Sequence, residues 1–403
     1  MKSGGISMPG TSDLFAPDPD ARSDVVFLSS DENDPEDLSF GRGQPIRIGW
    51  LRDLGPDHMR VGPIIEWVID EFNQRGAIDR AVELVPIEVE GAPRGRILDV
   101  AAAWQELKDL GCLAILGPHI SDNCIVLRPI VDAGGVPTIA TGGTSEFAGE
   151  WAFGIQWADL PVEGHLIANY CAQRGYKRVA VSYDNAHHAG EYLRHFRAGL
   201  RRYGIRECAE EKISQLTTRQ ATLQAADAVA AMRMAQPDAI VHLGTGPSGE
   251  TIARAIRDAD WDIPSIMSDA FFIAEFPHVV DLFEGWVGTA GYDETNEWFS
   301  SNLERYHKIA DQPVVHGEAF AVFYTLTSAL LEGLRMTQVW SREGVRRGLE
   351  SVALFPSAIG GPRTSVGWGP YKRRGVGGAD EYILRRIQGG KSVFEARFDP
   401  MLG

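Results

Sequence analysis

Leu113-Ala114-Ile115-Leu116 ends at Gly117, and Pro137 opens the next apolar run twenty residues later; Ala239-Ile240-Val241-His242-Leu243 ends at Gly244, and Pro264 follows at the same interval. The strands entered by those prolines also read alike, as Val136-Pro137-Thr138-Ile139-Ala140 and Ile263-Pro264-Ser265-Ile266-Met267. Upstream, Arg47-Ile48-Gly49-Trp50 running to Asp53 is matched by Arg178-Val179-Ala180-Val181 running to Asp184. A chain that repeats strand, loop, helix and strand in this way builds two similar parallel sheets. Open parallel sheets bind ligands at the loops leaving the carboxyl ends of their strands. Two such sheets facing each other predict a cleft with a lip on each side.

Working outward, the first series starts with a strand at 46–51 and a helix at 62–72 that buries Ile64, Ile65, Val68, Ile69 and Phe72 at helical spacing. A strand at 82–89, an Ala-rich helix at 97–110, a strand at 113–116, a helix near 124–131 and a strand at 136–140 complete a βαβαβαβ run, which the right-handed crossover rule folds into a doubly wound sheet. The second series takes helices at 162–171, 191–202, 220–234 and 250–258, with strands at 178–183, 207–213, 239–243 and 265–268. From Trp286 the pattern becomes mainly helical, over 296–309, 318–334 and 342–349; the tail reads as short antiparallel strands at 364–368 and 381–387. Helices without a sheet of their own must cover the first one. This predicts an α/β protein of two doubly wound parallel-sheet lobes, joined by a three-crossing hinge near 157–161, 289–294 and 357–363. The lobes divide as 45–158 with 291–358, and 159–290 with 359–403, after an arm over 1–44.

Composition bounds the function. The 403 residues are 44% hydrophobic and 23% charged, ordinary for a globular α/β chain, and carry a formal net charge of −16. That balance argues against a nucleic-acid partner, which needs a basic face, and against an anionic membrane surface. Cys112, Cys124, Cys171 and Cys208 show no metal-binding spacing; the patterns around the first three favour buried free thiols, with a Cys112–Cys124 bridge left open. Residues 1–40 hold no apolar run longer than Val25-Val26-Phe27-Leu28, short of the roughly 7–15 residues of a secretory signal. As given, the sequence reads as cytoplasmic with a disordered arm, and a different N-terminus would make it extracytoplasmic.

Gly244-Thr245-Gly246-Pro247-Ser248-Gly249 is a literal G-x-G-x-x-G after a strand, with Asp269 twenty residues beyond it. Glycines there would let amides approach an anion at a helix N-terminus, which makes a nucleotide-dependent enzyme the rival reading. Pro247 removes one donor, and the matching loop Gly117-Pro118-His119-Ile120-Ser121 is not glycine-rich, so a tight turn lining a cleft is favoured. There is no nucleophile elbow, H-E-x-x-H or P-loop lysine. No catalytic residue, metal site or cofactor is assigned. His187-His188 follows the 178–183 strand as a cleft hydrogen-bonder or a solvated turn.

At Asn73-Gln74-Arg75-Gly76-Ala77-Ile78, Gly117–Ser121 and Gly135-Val136-Pro137-Thr138-Ile139-Ala140-Thr141-Gly142-Gly143-Thr144, the chain resembles the type I periplasmic-binding proteins of the leucine/isoleucine/valine-binding group, from about Pro45 to Val393. That family serves ABC importers and, in relatives, cytoplasmic amide sensors and receptor ectodomains. The resemblance implies that Ser121, Gly142 and Thr144 hold a ligand's carboxylate and amine. Opposite them it implies His188 near a Tyr slot, Gly246 where an aromatic often sits, and Asp269 near an acid, with Arg60 replacing an aromatic of the first lobe. These departures imply a larger or more acidic ligand than a branched-chain amino acid. The function implied is small-solute binding for import, alternatively amide or amino-acid sensing through a regulatory protein. Partners would be the solute (amino acid, amide or carboxylate-bearing), an ABC permease or regulator, and a second copy if it dimerises.

Overall fold

The computed structural model describes residues 44–398 apart from 55–58, 245, 315 and 378–379, so the reading of an N-terminal arm lies outside the described residues. The first series is β1 (Ile46–Arg52), α1 (Gly62–Arg75), β2 (Val82–Glu88), α2 (Ile97–Asp109), β3 (Ala114–Leu116), α3 (Ser121–Gly134), β4 (Thr138–Ala140) and β5 (Ala152–Gly154). The second is α4 (Leu160–Gln173), β6 (Arg178–Asp184), α5 (His188–Tyr203), β7 (Arg206–Ile213), α6 (Arg219–Met234), β8 (Ala239–Leu243), α7 (Pro247–Asp258), β9 (Ser265–Met267) and β10 (Val287–Ala290). The remainder comprises α8 (Glu297–His307), α9 (Gly317–Arg335), α10 (Arg342–Glu350), β11 (Phe355–Pro356), β12 (Ser365–Val366), β13 (Val376–Gly377), β14 (Ile383–Gln388) and β15 (Lys391–Ala396).

The first sheet runs β2-β1-β3-β4-β5 and the second carries the same order, β7-β6-β8-β9-β10, with β14 and β15 added at its edge. Each five-strand set is parallel, and β14 and β15 pair antiparallel. In both sheets the order reverses beside the first strand, which opens a crevice at the carboxyl ends of β1/β3 and β6/β8. Strand alternation sorts the core: Ile46, Ile48 and Trp50 face the layer that contains α1 and α9, whereas Leu51 joins Val100, Trp104 and Leu127 on the other face. Helix α9 is buried along most of its length because it is the central element of that layer. Helix α1 stops at Gly76, whose φ of 62° is open to glycine at low cost.

Three segments differ from the sequence reading. β5 and β10 extend the two sheets where loop and helix were read, because three- and four-residue buried strands carry no periodicity. Residues 359–377 pack with the first lobe and not the second: Val366, Trp368 and Val376 are in its core. The chain therefore returns to the second lobe between β13 and β14. Residues 357–363 instead run beside the second crossing, where the Gly360 amide donates to the Gly291 carbonyl at 2.7 Å. All four cysteines are free. Among the described residues no helix is long and apolar enough to cross a membrane.

Trp368 fastens the returning segment, its ring edge-on to Phe153 at 5.8 Å and its Nε1 donating to the Gly154 carbonyl at 3.1 Å. Trp368→Ala is expected to cost about 3–5 kcal/mol, read as a lower urea midpoint with unchanged slope. A midpoint equal to wild type would mean that 365–377 is not integral to the first lobe.

Candidate functional site

Between the lobes lies a cavity of about 530 Å³ whose walls come from the ends of β1, β3 and β4, the first crossing, the start of α5 and the 3₁₀ segment Asp269–Glu275. Its apolar surface includes Trp50, Met59, Trp157, Phe272, Ile273 and Phe276. Trp157 and Phe272 stand 5.7 Å apart, and His316 stacks behind Phe272 at 5.4 Å. A cavity of this volume lies in the range of small-molecule sites.

The polar residues are heavily committed. Asp53, at the end of β1, accepts from the amides of His119 (2.7 Å) and Ile120 (3.2 Å) and from Asn123 Nδ2 (2.7 Å). His119 Nε2 accepts from Trp50 Nε1, so its Nδ1 carries the proton toward Thr141 Oγ1 at 2.8 Å. Ser121 Oγ accepts from the Gly143 amide at 3.1 Å. Across the cleft, Asp122 Oδ1 accepts from both the backbone amide and Nδ1 of His188, each at 3.0 Å, while Asp184 lies 3.6 Å from Nε2. Burial disfavours a charged ring, but the hydrogen bonds and charges of Asp122 and Asp184 outweigh it and push His188 up to about 10. The same pairing, against the cost of burial, holds both carboxyls below their ordinary range.

On the second lobe, Glu163 is fully buried and accepts from the amides of Asp159 and Asp269, both at 2.9 Å, and from Thr289 Oγ1 at 2.5 Å. Tyr192 lies 3.3 Å from both Glu163 oxygens and donates to Asp269 Oδ1 at 3.0 Å. Burial, then the neighbouring Asp269 charge, raises Glu163 well above the usual range; burial raises Asp269 to about 6. Of the two, Asp269 is the one that faces the cavity.

Of the residues singled out from the sequence, Ser121, His188, Gly246 and Asp269 line this one cavity. Thr144 does not: its hydroxyl donates at 2.7 Å to Glu191 of α5, and Ser145 donates to the same carboxylate through its amide at 3.1 Å and its hydroxyl. Gly142 packs behind the wall, where a Cβ would sit 2.5 Å from Cys124 Sγ. Arg60 is exposed at a φ of 55° and is replaced on the wall by Met59 and Val61. The glycines at 244–249 have packing reasons. Gly244 abuts Asp184 and His242, Gly246 takes a φ of 64°, and Gly249 lies against Met267. The aromatic wall went unread because Trp157 and Phe272 sit in segments without periodicity; the one available signal was their position after strand ends.

The Periplasmic binding protein family model matches residues 45–380. A comparison with curated protein sequences returned no match. The chain is similar in fold to a type 1 periplasmic binding protein from Bordetella pertussis (TM-score 0.70, 18% identity, covering 87% of this chain and 100% of that one). It is likewise similar to a leucine-binding protein from Thermotoga maritima (0.70, 18%, 88% and 99%). A third similar structure is an ABC transporter substrate-binding protein from Desulfitobacterium hafniense in complex with Leu (0.69, 16%, 87% and 100%).

Because the fold raises Asp269 from an ordinary 3.8 to about 6, it favours the protonated carboxyl. That contribution is complete below about pH 4 and is lost as pH rises through 6. Asp269→Asn is therefore expected to be more stable than wild type above pH 7, by about 1–3 kcal/mol, with the gap closing toward pH 4. Urea unfolding at pH 4, 6 and 8 checks this; a gap independent of pH would refute it.

Proposed function

Given that the chain belongs to the periplasmic binding protein family, whose members are solute-binding proteins, we propose that it holds a small solute between its lobes and delivers it to an ABC-type importer. The observation that carries this reading is the interlobe cavity itself: polar groups gather at Ser121, His188 and Asp269, and aromatic rings from both lobes form the remainder. Neither lobe alone encloses the space. A solute that touches both stabilises the lobes together by its differential affinity for that arrangement. Delivery to a permease would place the protein outside the cytoplasm, and that location is part of the proposal.

The residues support binding and not turnover. Among the described residues, Ser121 Oγ is bonded to the Gly143 amide and not to a base. His188 is held charged between two carboxylates and so is a poor proton acceptor. Among the described residues of the Gly244–Gly249 turn, Gly246 and Pro247 border the cavity.

Native mass spectrometry of the purified protein tests the reading by looking for a co-purified small molecule. Trp157→Ala is expected to lower its affinity ten- to a hundredfold, the equivalent of about 1.5–3 kcal/mol for an aromatic wall. A retained molecule with unchanged affinity in that variant would move the site elsewhere. NAD, titrated against tryptophan fluorescence, is expected to give no saturable change; micromolar saturation abolished by Gly246→Val would restore the nucleotide reading.

A further inference from the structure

From the way the chain uses its own groups at the cavity, we propose that the solute is an organic monocation with an apolar body and no free carboxylate. This rests on the reading that the interlobe cavity is the ligand site, and it departs from the carboxylate-plus-amine ligand that the family resemblance implied.

Most of the groups suited to an anion are already engaged within the protein, chiefly by its own carboxylates. The two amides entering α3 donate to Asp53, and Asp122 sits in that helix's first turn. A helix start with two carboxylates in place gains little from a third and repels it. The Gly143 amide is engaged by Ser121, and the Thr144 hydroxyl and Ser145 amide by Glu191. Two of the cations at the cavity are likewise engaged. His188 lies between Asp122 and Asp184, and Arg52 is held 3.2 Å from Glu88 with its guanidinium over Trp50 at 4.8 Å. Arg94 is exposed at the rim.

The opposite wall presents a carboxylate beside aromatic rings. Asp269 is 94% buried by its 6% exposure and lines the cavity, with the Tyr192 hydroxyl on one oxygen. Glu163 behind it is fully buried, with both oxygens occupied by donors of the protein, and does not line the cavity. The 3₁₀ geometry of 269–275 places residues three apart on one side, so Phe272 stands over the same face as Asp269, with Trp157 5.7 Å from it. A carboxylate beside aromatic faces is the arrangement that recognises an organic cation, through charge and the ring quadrupole together. Trp157 Nε1 is buried on this wall with no hydrogen-bond partner, and a neutral acceptor on the ligand body would satisfy it.

Three probes of one shape separate the possibilities: phenylalaninamide (cation, neutral acceptor), phenylalanine (cation plus carboxylate) and hydrocinnamate (carboxylate alone). Isothermal titration of the ligand-stripped protein is expected to show phenylalaninamide binding at least tenfold tighter than phenylalanine, with hydrocinnamate weakest. In Asp269→Asn, shown to be folded by circular dichroism, the preference for the amide is expected to vanish. Phenylalanine or hydrocinnamate matching the amide in wild type overturns the cation assignment, and so does silence from all three. Neither result removes the cavity as the ligand site, which falls only if the co-purified molecule is unaffected by Trp157→Ala.

Discussion

One buried carboxyl group organises the place where the lobes meet. Glu163 of α4 receives the Asp159 amide from the first crossing, the Asp269 amide after β9 and the Thr289 hydroxyl of β10. Burying such a group is costly unless its oxygens are satisfied, and here satisfaction requires three separate segments to arrive together. Asp159 is in turn paired with Arg374 near β13, which ties the crossing to the first lobe's small sheet. The geometry of the crossing is thus set by polar satisfaction together with the apolar packing of Trp157, Ala158 and Leu160 on either side of it.

The same group sets the electrostatics. Two adjacent buried acids do not both ionise freely, and burial, then the Asp269 charge, raises Glu163 well above the usual range. Asp269 is the member of the pair at the cavity surface. The carboxylates that end the first strand of each sheet are spent internally. Asp53 and Asp184 occupy matching positions at the ends of β1 and β6, yet Asp53 satisfies loop amides whereas Asp184 neutralises His188. The repeat fixes where carboxylates stand, and the neighbours each one meets decide its use.

This distinction also explains what could be read from the chain alone. Strand order and the position of the cleft follow from local patterns: the Gly117–Pro137 and Gly244–Pro264 spacings, and the periodicity of α1 and α5. Ser121 and Asp269 were legible because each follows a strand of those repeats. Asp53 was visible as the partner of Asp184, but its capping of a loop 66 residues away is a tertiary contact that no local spacing encodes. Thr144 carried the right residue type in the right loop, yet its partner Glu191 is on the other lobe. The third crossing was misplaced because Gly360 and Gly361 mark a turn beside the hinge, and turn residues do not disclose which lobe the chain enters next.

The interlobe hydrogen bonds bear on how selective such a protein can be. Glu191 to Thr144 and Ser145, and Asp122 to His188, join the lobes through the protein's own groups. They stabilise the joined arrangement equally for every solute, so they raise all affinities without ranking them. Ranking comes from groups that face the cavity: the rings of Trp157 and Phe272, the Trp157 Nε1 proton, which finds no hydrogen-bond partner in the protein, and the carboxylate of Asp269. A solute that leaves these unmatched loses their contribution on both sides of the cleft at once, because Trp157 stands at the first crossing and Phe272 and Asp269 stand together on the second lobe. Discrimination is therefore concentrated in the same motion that encloses the solute, and the hydrogen-bonded rim keeps that motion from depending on the solute alone.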